Sequence, residues 1–194
     1  MKFLYLPFFF FFAMISCAHA QSALKQENTK VNTPDSIAVL ISTIEFTMKA
    51  TKEERDIFDD GIVPWMSLDH PAKYTARMID ADKIVLNYPN VTLIIDYPLA
   101  KPASFELPIP EKGMSKKDLI LKISAIYHEI YKQEENTANV KTVPIGDRKK
   151  LLNRNETDGK YGISMHDLSD LDLSTVEVYK SEDGKIFLML EVES

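Results

Sequence analysis

Apolar side chains at Leu119, Ile120, Ile123, Ile126, Tyr127, Ile130 and Tyr131 recur at helical spacing and make one broad face of a single long helix. A helix with so wide an apolar face cannot stand in water and must lie on a sheet or on other helices. Ser115, followed three residues later by Asp118, supplies a capping box at its start. Every other element of the chain is constrained to provide the surface that this helix covers.

Strand signals flank it on both sides. Upstream, Lys83 to Tyr88 and Val91 to Tyr97 are strand-like and joined by a tight connection at Pro89-Asn90, with Pro98 ending the second. Ser104 to Leu107 is a short third strand, and the prolines around it suit a sheet edge. Downstream, Ser174 to Lys180 and Lys185 to Glu193 flank Ser181-Glu182-Asp183-Gly184 and predict a hairpin. In its second arm Ile186, Leu188, Leu190 and Val192 share a face, while Phe187 and Met189 make the other face partly apolar, which predicts an interior strand.

Ahead of these, Ile37, Leu40, Ile41, Ile44 and Met48 form a narrow helical stripe opposite Ser42, Glu45 and Lys49. Alternation of Ile37, Val39 and Ile41 would equally suit a strand. The stripe predicts a helix, and Thr51 with Glu54 predicts a second, short one ending near Asp60-Gly61. Trp65, between glycine and prolines, reads as a packed plug rather than a ligand-stacking residue. The expected fold is therefore α+β, a mostly antiparallel sheet of about five strands packed by one long helix and N-terminal helices.

The N-terminus constrains location. Met1-Lys2 followed by the apolar run Phe3 to Ile15 has the form of an export signal, too short for a bilayer span. Ala18-His19-Ala20 before Gln21 suits an ordinary signal peptidase, which would discard Cys17, the only cysteine. Met14-Ile15-Ser16-Cys17 is similar to a lipobox, in which Cys17 would carry a lipid; the Met in place of Leu favours the soluble product. Residues 1–20 are thus read as the signal (or as a lipoprotein signal ending before Cys17), 21–34 as a polar flexible linker, and 35–194 as one domain without disulfides. With 23 basic against 29 acidic residues and no dense basic stripe, nucleic acid is not an expected partner. A membrane would be met only through a lipid on Cys17.

Chemistry is sought in the stretch between the long helix and the hairpin, about thirty residues without a clean period. Oxygen-bearing side chains at Asn153, Asn155, Thr157 and Asp158 precede Gly159, but the glycine is out of register for a calcium loop, so an Asx-and-glycine turn is the simpler reading. His166 could be a general acid or base if Asp170, Glu134 or Asp96 oriented it, although a histidine bonded to loop backbone is the simpler reading. A metal site built on His128, His166 and carboxylates lacks a second histidine at helical spacing, and His128 faces away from the apolar stripe. No metal and no cofactor is expected. Glu134 continues the stripe of Ile123, Tyr127 and Ile130, so its carboxylate points inward and needs a partner, with Arg148 or Arg154 the candidates. Fraying of the helix after Gln133 would leave it in water instead.

The run NRNETDGKYG at Asn153 to Gly162, continuing as Tyr161-Gly162-Ile163, His166-Asp167-Leu168 and Asp170-Leu171, resembles a block found in small exported proteins of Bacteroidetes-type bacteria. Ile95 to Leu99 and the helix end Tyr127, Ile130, Tyr131, Glu134, Glu135 are similar to the rest of that pattern, whereas Ser164-Met165 departs from the bulkier aromatic and glycine expected there. The resemblance implies export and a C-terminal strand pair, and implies no activity. These readings converge on an exported envelope or periplasmic protein that binds a protein or small molecule. A small hydrolase centred on His166 and an immunity-type inhibitor are the alternatives.

Overall fold

The computed structural model describes residues 38–149 and 156–194. The signal with Cys17, the linker and Arg154 lie outside the described residues. No described helix is long and apolar enough to cross a membrane.

Among the described residues, ten strands and one long helix are arranged as an α+β fold. The strands are β1 (Ala38–Glu45), β2 (Met48–Lys49), β3 (Ile62–Val63), β4 (Met66–Ser67), β5 (Ile84–Leu86), β6 (Asn90–Ile95), β7 (Ala103–Pro108), β8 (Met114–Ser115), β9 (Asp172–Ser181) and β10 (Ile186–Glu193). The helix α1 (Lys116–Thr137) falls between β8 and β9. The main sheet runs β1-β9-β10-β6-β7, with β4 also paired to β9. β2 pairs with β3, and β5 with β8, as two small ribbons. All pairings of the main sheet are antiparallel except β10 with β6, so it is mostly antiparallel, as expected, but mixed and of six strands where about five were expected.

Two expectations are corrected. The stripe at Ile37 to Met48 is no helix: its described residues form β1, in register with β9 from Ala38↔Ser181 to Glu45↔Thr175, and reach β2 at Met48. The register slips between Leu40 and Ser42, and the extra residue of a bulge sets two apolar residues side by side. That local break in a period of two imitates the i, i+3, i+4 spacing of a helix. The second helix shrinks to a 3-10 turn at Glu54–Asp56, although the Thr51/Glu54 box is made, with Thr51 N donating to Glu54 Oε2 (2.6 Å) and Glu54 N to Thr51 Oγ1 (3.3 Å). Nor do the strands around Pro89-Asn90 pair with each other. β5 pairs with β8, and β6 takes β7, Asn90 facing Pro108.

The remaining elements follow their residues. Ser115 caps α1, accepting from Asp118 N at 3.1 Å. Leu119, Ile120, Ile123, Ile126, Tyr127 and Ile130 are fully buried and share one core with Leu93, Ile95, Val176, Val178 and Leu188 from the sheet. Each such side chain contributes about 1.5–3 kcal/mol of burial, which is why one helix suffices to hold the sheet. Trp65 packs edge-on to Phe58 at 5.5 Å and lies against the core as a plug. β7 is an edge and β10 is interior, both as their residues predict.

Candidate functional site

The long connection after α1 returns as a strap, residues 157–166, laid across the C-terminal end of the helix. Glu134 is the peg that holds it. The helix does persist past Gln133, and Glu134 is completely buried. Its Oε1 accepts from Thr157 Oγ1 (2.7 Å) and Gly159 N (2.8 Å), and its Oε2 from Tyr161 N (2.7 Å) and Gly162 N (3.1 Å). Four donors saturate a carboxylate. Burial pushes its pKa up, but the Thr157 hydroxyl and the amides of Tyr161, Gly159 and Gly162 outweigh that and hold it below the usual carboxylate value.

Of the two arginines considered as partners of Glu134, Arg154 lies outside the described residues and Arg148 is engaged elsewhere. Arg148 instead makes a two-pronged ion pair with Asp167, NH2 to Oδ1 at 3.0 Å, and its Nε donates to Val143 O at 2.8 Å. Asp167 and Asp170 are in turn the two ends of a capping box on the Leu168–Asp170 turn, where Asp170 Oδ2 accepts from Asp167 N at 2.9 Å. Of the oxygens considered for calcium, Asn153 and Asn155 lie outside the described residues, and those of Thr157 and Asp158 serve the same docking. Asp158 accepts from Asn139 N (2.7 Å) and Val140 N (2.8 Å), closing the chain that leaves the helix.

His166 ends the strap beside Tyr97. Its Nε2 lies 2.9 Å from Tyr97 Oη, which is 2.7 Å from Ser194 Oγ, and its Nδ1 is buried with no partner among the described residues. The Nε2–Tyr97 contact is one hydrogen bond whose direction follows the imidazole tautomer. Helix α1 fixes both residues through their backbones: Tyr127 Oη donates to Tyr97 O (2.8 Å) and Tyr131 Oη to His166 O (2.9 Å). The spacing of one helical turn between the two tyrosines thus sets the spacing of the Tyr97 and His166 main chains.

Of the residues proposed for hydrolysis, Asp170 is bonded to Asp167 N through Oδ2. No carboxylate bonds the His166 ring among the described residues, Glu134 is spent on amides, and Asp96 is exposed. A general base needs an oriented imidazole or a free carboxylate within hydrogen-bond reach of a proton. What the geometry yields is a braced loop.

A second cluster went unrecognised in the sequence. His128, on the polar face of α1, meets Asp69 and His70 from the bend before the Pro71–Lys73 turn. His70 Nε2 lies 3.3 Å from Asp69 Oδ2, and His128 Nε2 lies 3.5 Å from Asp69 Oδ1 and 2.8 Å from Asp69 O. His128 is exposed, as its helix position predicts. The only signal in the chain was an adjacent Asp-His pair, and nothing in a sequence marks a partner 58 residues away.

Comparison of the chain with protein families, with curated proteins and with solved structures gives no match in any of the three.

Proposed function

We propose that this protein is exported and works by binding a partner protein outside the cytoplasm, along the edge of β1. The observation that carries the reading is the contrast between the two edges of the main sheet. β7 is blunted as edges usually are, with Glu106 in its middle, Pro108 at its end and Pro102 just before it. β1 has no charge from Ala38 to Ile44, and Val39, Leu40 and Ile41 are 71%, 45% and 41% exposed. Among the described residues its outer edge has no strand partner, and the bulge at Leu40/Ser42 is its one protective device. Such an edge suits addition of an extended segment, whose backbone bonds give affinity and whose alternate side chains meet Val39 and Ile41. The signal-like N-terminus supports an extracytoplasmic setting, and the commitment of Glu134 to three backbone amides and the Thr157 hydroxyl favours binding over hydrolysis.

A photo-reactive residue at position 39, introduced into the protein in its producing cells, tests the reading. The expected result is one discrete adduct with a second protein, absent when the probe is placed at Glu182 in the β9–β10 turn. Adding Ile41→Lys removes the adduct while changing stability by no more than about 0.5 kcal/mol, since the side chain is exposed. No adduct above the Glu182 control, or an adduct of two copies of this chain, overturns it.

A further inference from the structure

We propose that Asp69, His70 and His128 bind a divalent transition-metal ion, with zinc the best fit, as a three-ligand site open to solvent. This inference is independent of the β1 edge. The three residues each offer one ligand atom, and those atoms all lie within 4.8 Å of one another. Zinc bonds of about 2.0–2.1 Å in a tetrahedron place ligand atoms about 3.3–3.4 Å apart. Each imidazole is already near that separation from one oxygen of the Asp69 carboxylate, His70 Nε2 at 3.3 Å from Oδ2 and His128 Nε2 at 3.5 Å from Oδ1, so a small turn of the carboxylate brings one oxygen between them. The two rings stack, 29° apart with centroids at 6.4 Å.

The scaffold is suited to the task. His128 projects from the middle of a 22-residue helix, and Asp69 and His70 stand at the entry to a turn that packs against that helix. Asp69 O, 2.8 Å from His128 Nε2, accepts that nitrogen's proton. Metal binding exchanges this hydrogen bond for a metal bond: the imidazole shifts its proton to Nδ1 through solvent, and the Nε2 lone pair becomes the ligand. No net proton is lost in that step. Imidazole with a single carboxylate favours zinc, copper or nickel over magnesium or calcium, which want more oxygens. The side chains of His70 and His128 are 56% and 49% exposed and that of Asp69 22%. The ion therefore enters directly from solvent, and its fourth position stays open to water or to a donor from another molecule, as in three-ligand zinc centres.

Zinc titration of tag-free protein against a chromophoric chelator tests the proposal. One ion per chain is expected. His70→Ala and His128→Ala should each weaken binding by about a hundredfold, the upper end of what loss of even an outer-shell partner costs. Both side chains are exposed, so the variants are expected to keep the wild-type circular dichroism and unfolding midpoint; if one does not, Asp69→Asn, which keeps the side-chain shape, takes its place with the same expected loss. Zinc affinity unchanged in His70→Ala and His128→Ala, or several equivalent weak ions per chain, overturns the site.

Discussion

A buried carboxylate that meets four donors, and no cation among the described residues, is the residue on which the strap depends. Its inward direction could be read from the helical wheel, because Glu134 continues the stripe of Ile123, Tyr127 and Ile130. Its partners could not, because they are mostly main-chain amides, and an amide has no letter of its own in a sequence. The search for a compensating charge therefore pointed to Arg148 and Arg154, while the energy needed to bury the carboxylate comes largely from Gly159, Tyr161 and Gly162. Glu134→Gln is nearly isosteric yet turns one acceptor oxygen into a donor facing two donors. It should cost ~3 kcal/mol at neutral pH, measured by denaturant unfolding. The pH dependence has a definite sign. The folded pKa of Glu134 lies below its unfolded value, so its contribution is complete above the unfolded pKa and is lost as pH falls through the folded one. The gap between wild type and Glu134→Gln should accordingly narrow in acid. A gap that is absent at neutral pH, or constant down to pH 2, would show that the carboxylate does not hold the strap.

Between elements, the strap and α1 fit so closely that a single methyl group can test the contact. A Cβ on Gly159 would sit 2.8 Å from Glu134 Cδ, Glu134 O and Ala138 N, two of them backbone atoms of the helix end that cannot turn aside. Gly146, in the same long connection, would meet nothing within 4 Å. Gly159→Ala should therefore destabilise by about 1–3 kcal/mol, the usual cost of overpacking, and strip exchange protection from the amides of Tyr161 and Gly162, while Gly146→Ala leaves both unchanged. Equal behaviour of the two variants would mean that the strap is not seated on the helix. Element boundaries show where sequence patterns carry information and where they mislead. α1 announced itself because its apolar face is wide and its N-cap is a side chain, Ser115. β1 misled because a bulge placed Leu40 and Ile41 side by side, and because an edge strand exposed on both faces lacks the alternation that burial on one face imposes. Asp69, His70 and His128 illustrate a further limit: a three-residue cluster assembled by tertiary contact has no spacing to read.

Across the whole molecule, the order β1-β9-β10-β6-β7 makes the last eight-residue strand the seam of the sheet. β10 pairs with β9 along its length and, in parallel, with β6 at Phe187↔Thr92 and Leu188↔Leu93. Its interior position was legible from apolar residues on both faces, and its pairing with β9 from the Asp183-Gly184 turn. Its pairing with β6 was not, because that neighbour is some ninety-five residues earlier and joined through a helix. The consequence is an all-or-none fold. Until β10 is in place, β9 with β1 and the short β4, and β6 with β7, are two separate ribbons, each exposing the apolar face meant for α1, and sheets this small are marginal in water. Ending the chain at Lys185 should abolish the cooperative thermal transition and leave the protein protease-sensitive throughout. Removing Ser194 alone should retain the transition, since its recorded tie is one hydroxyl contact to Tyr97 at 2.7 Å. A chain ending at Lys185 that still unfolds cooperatively would show instead that α1 can unite the two ribbons without the central strand.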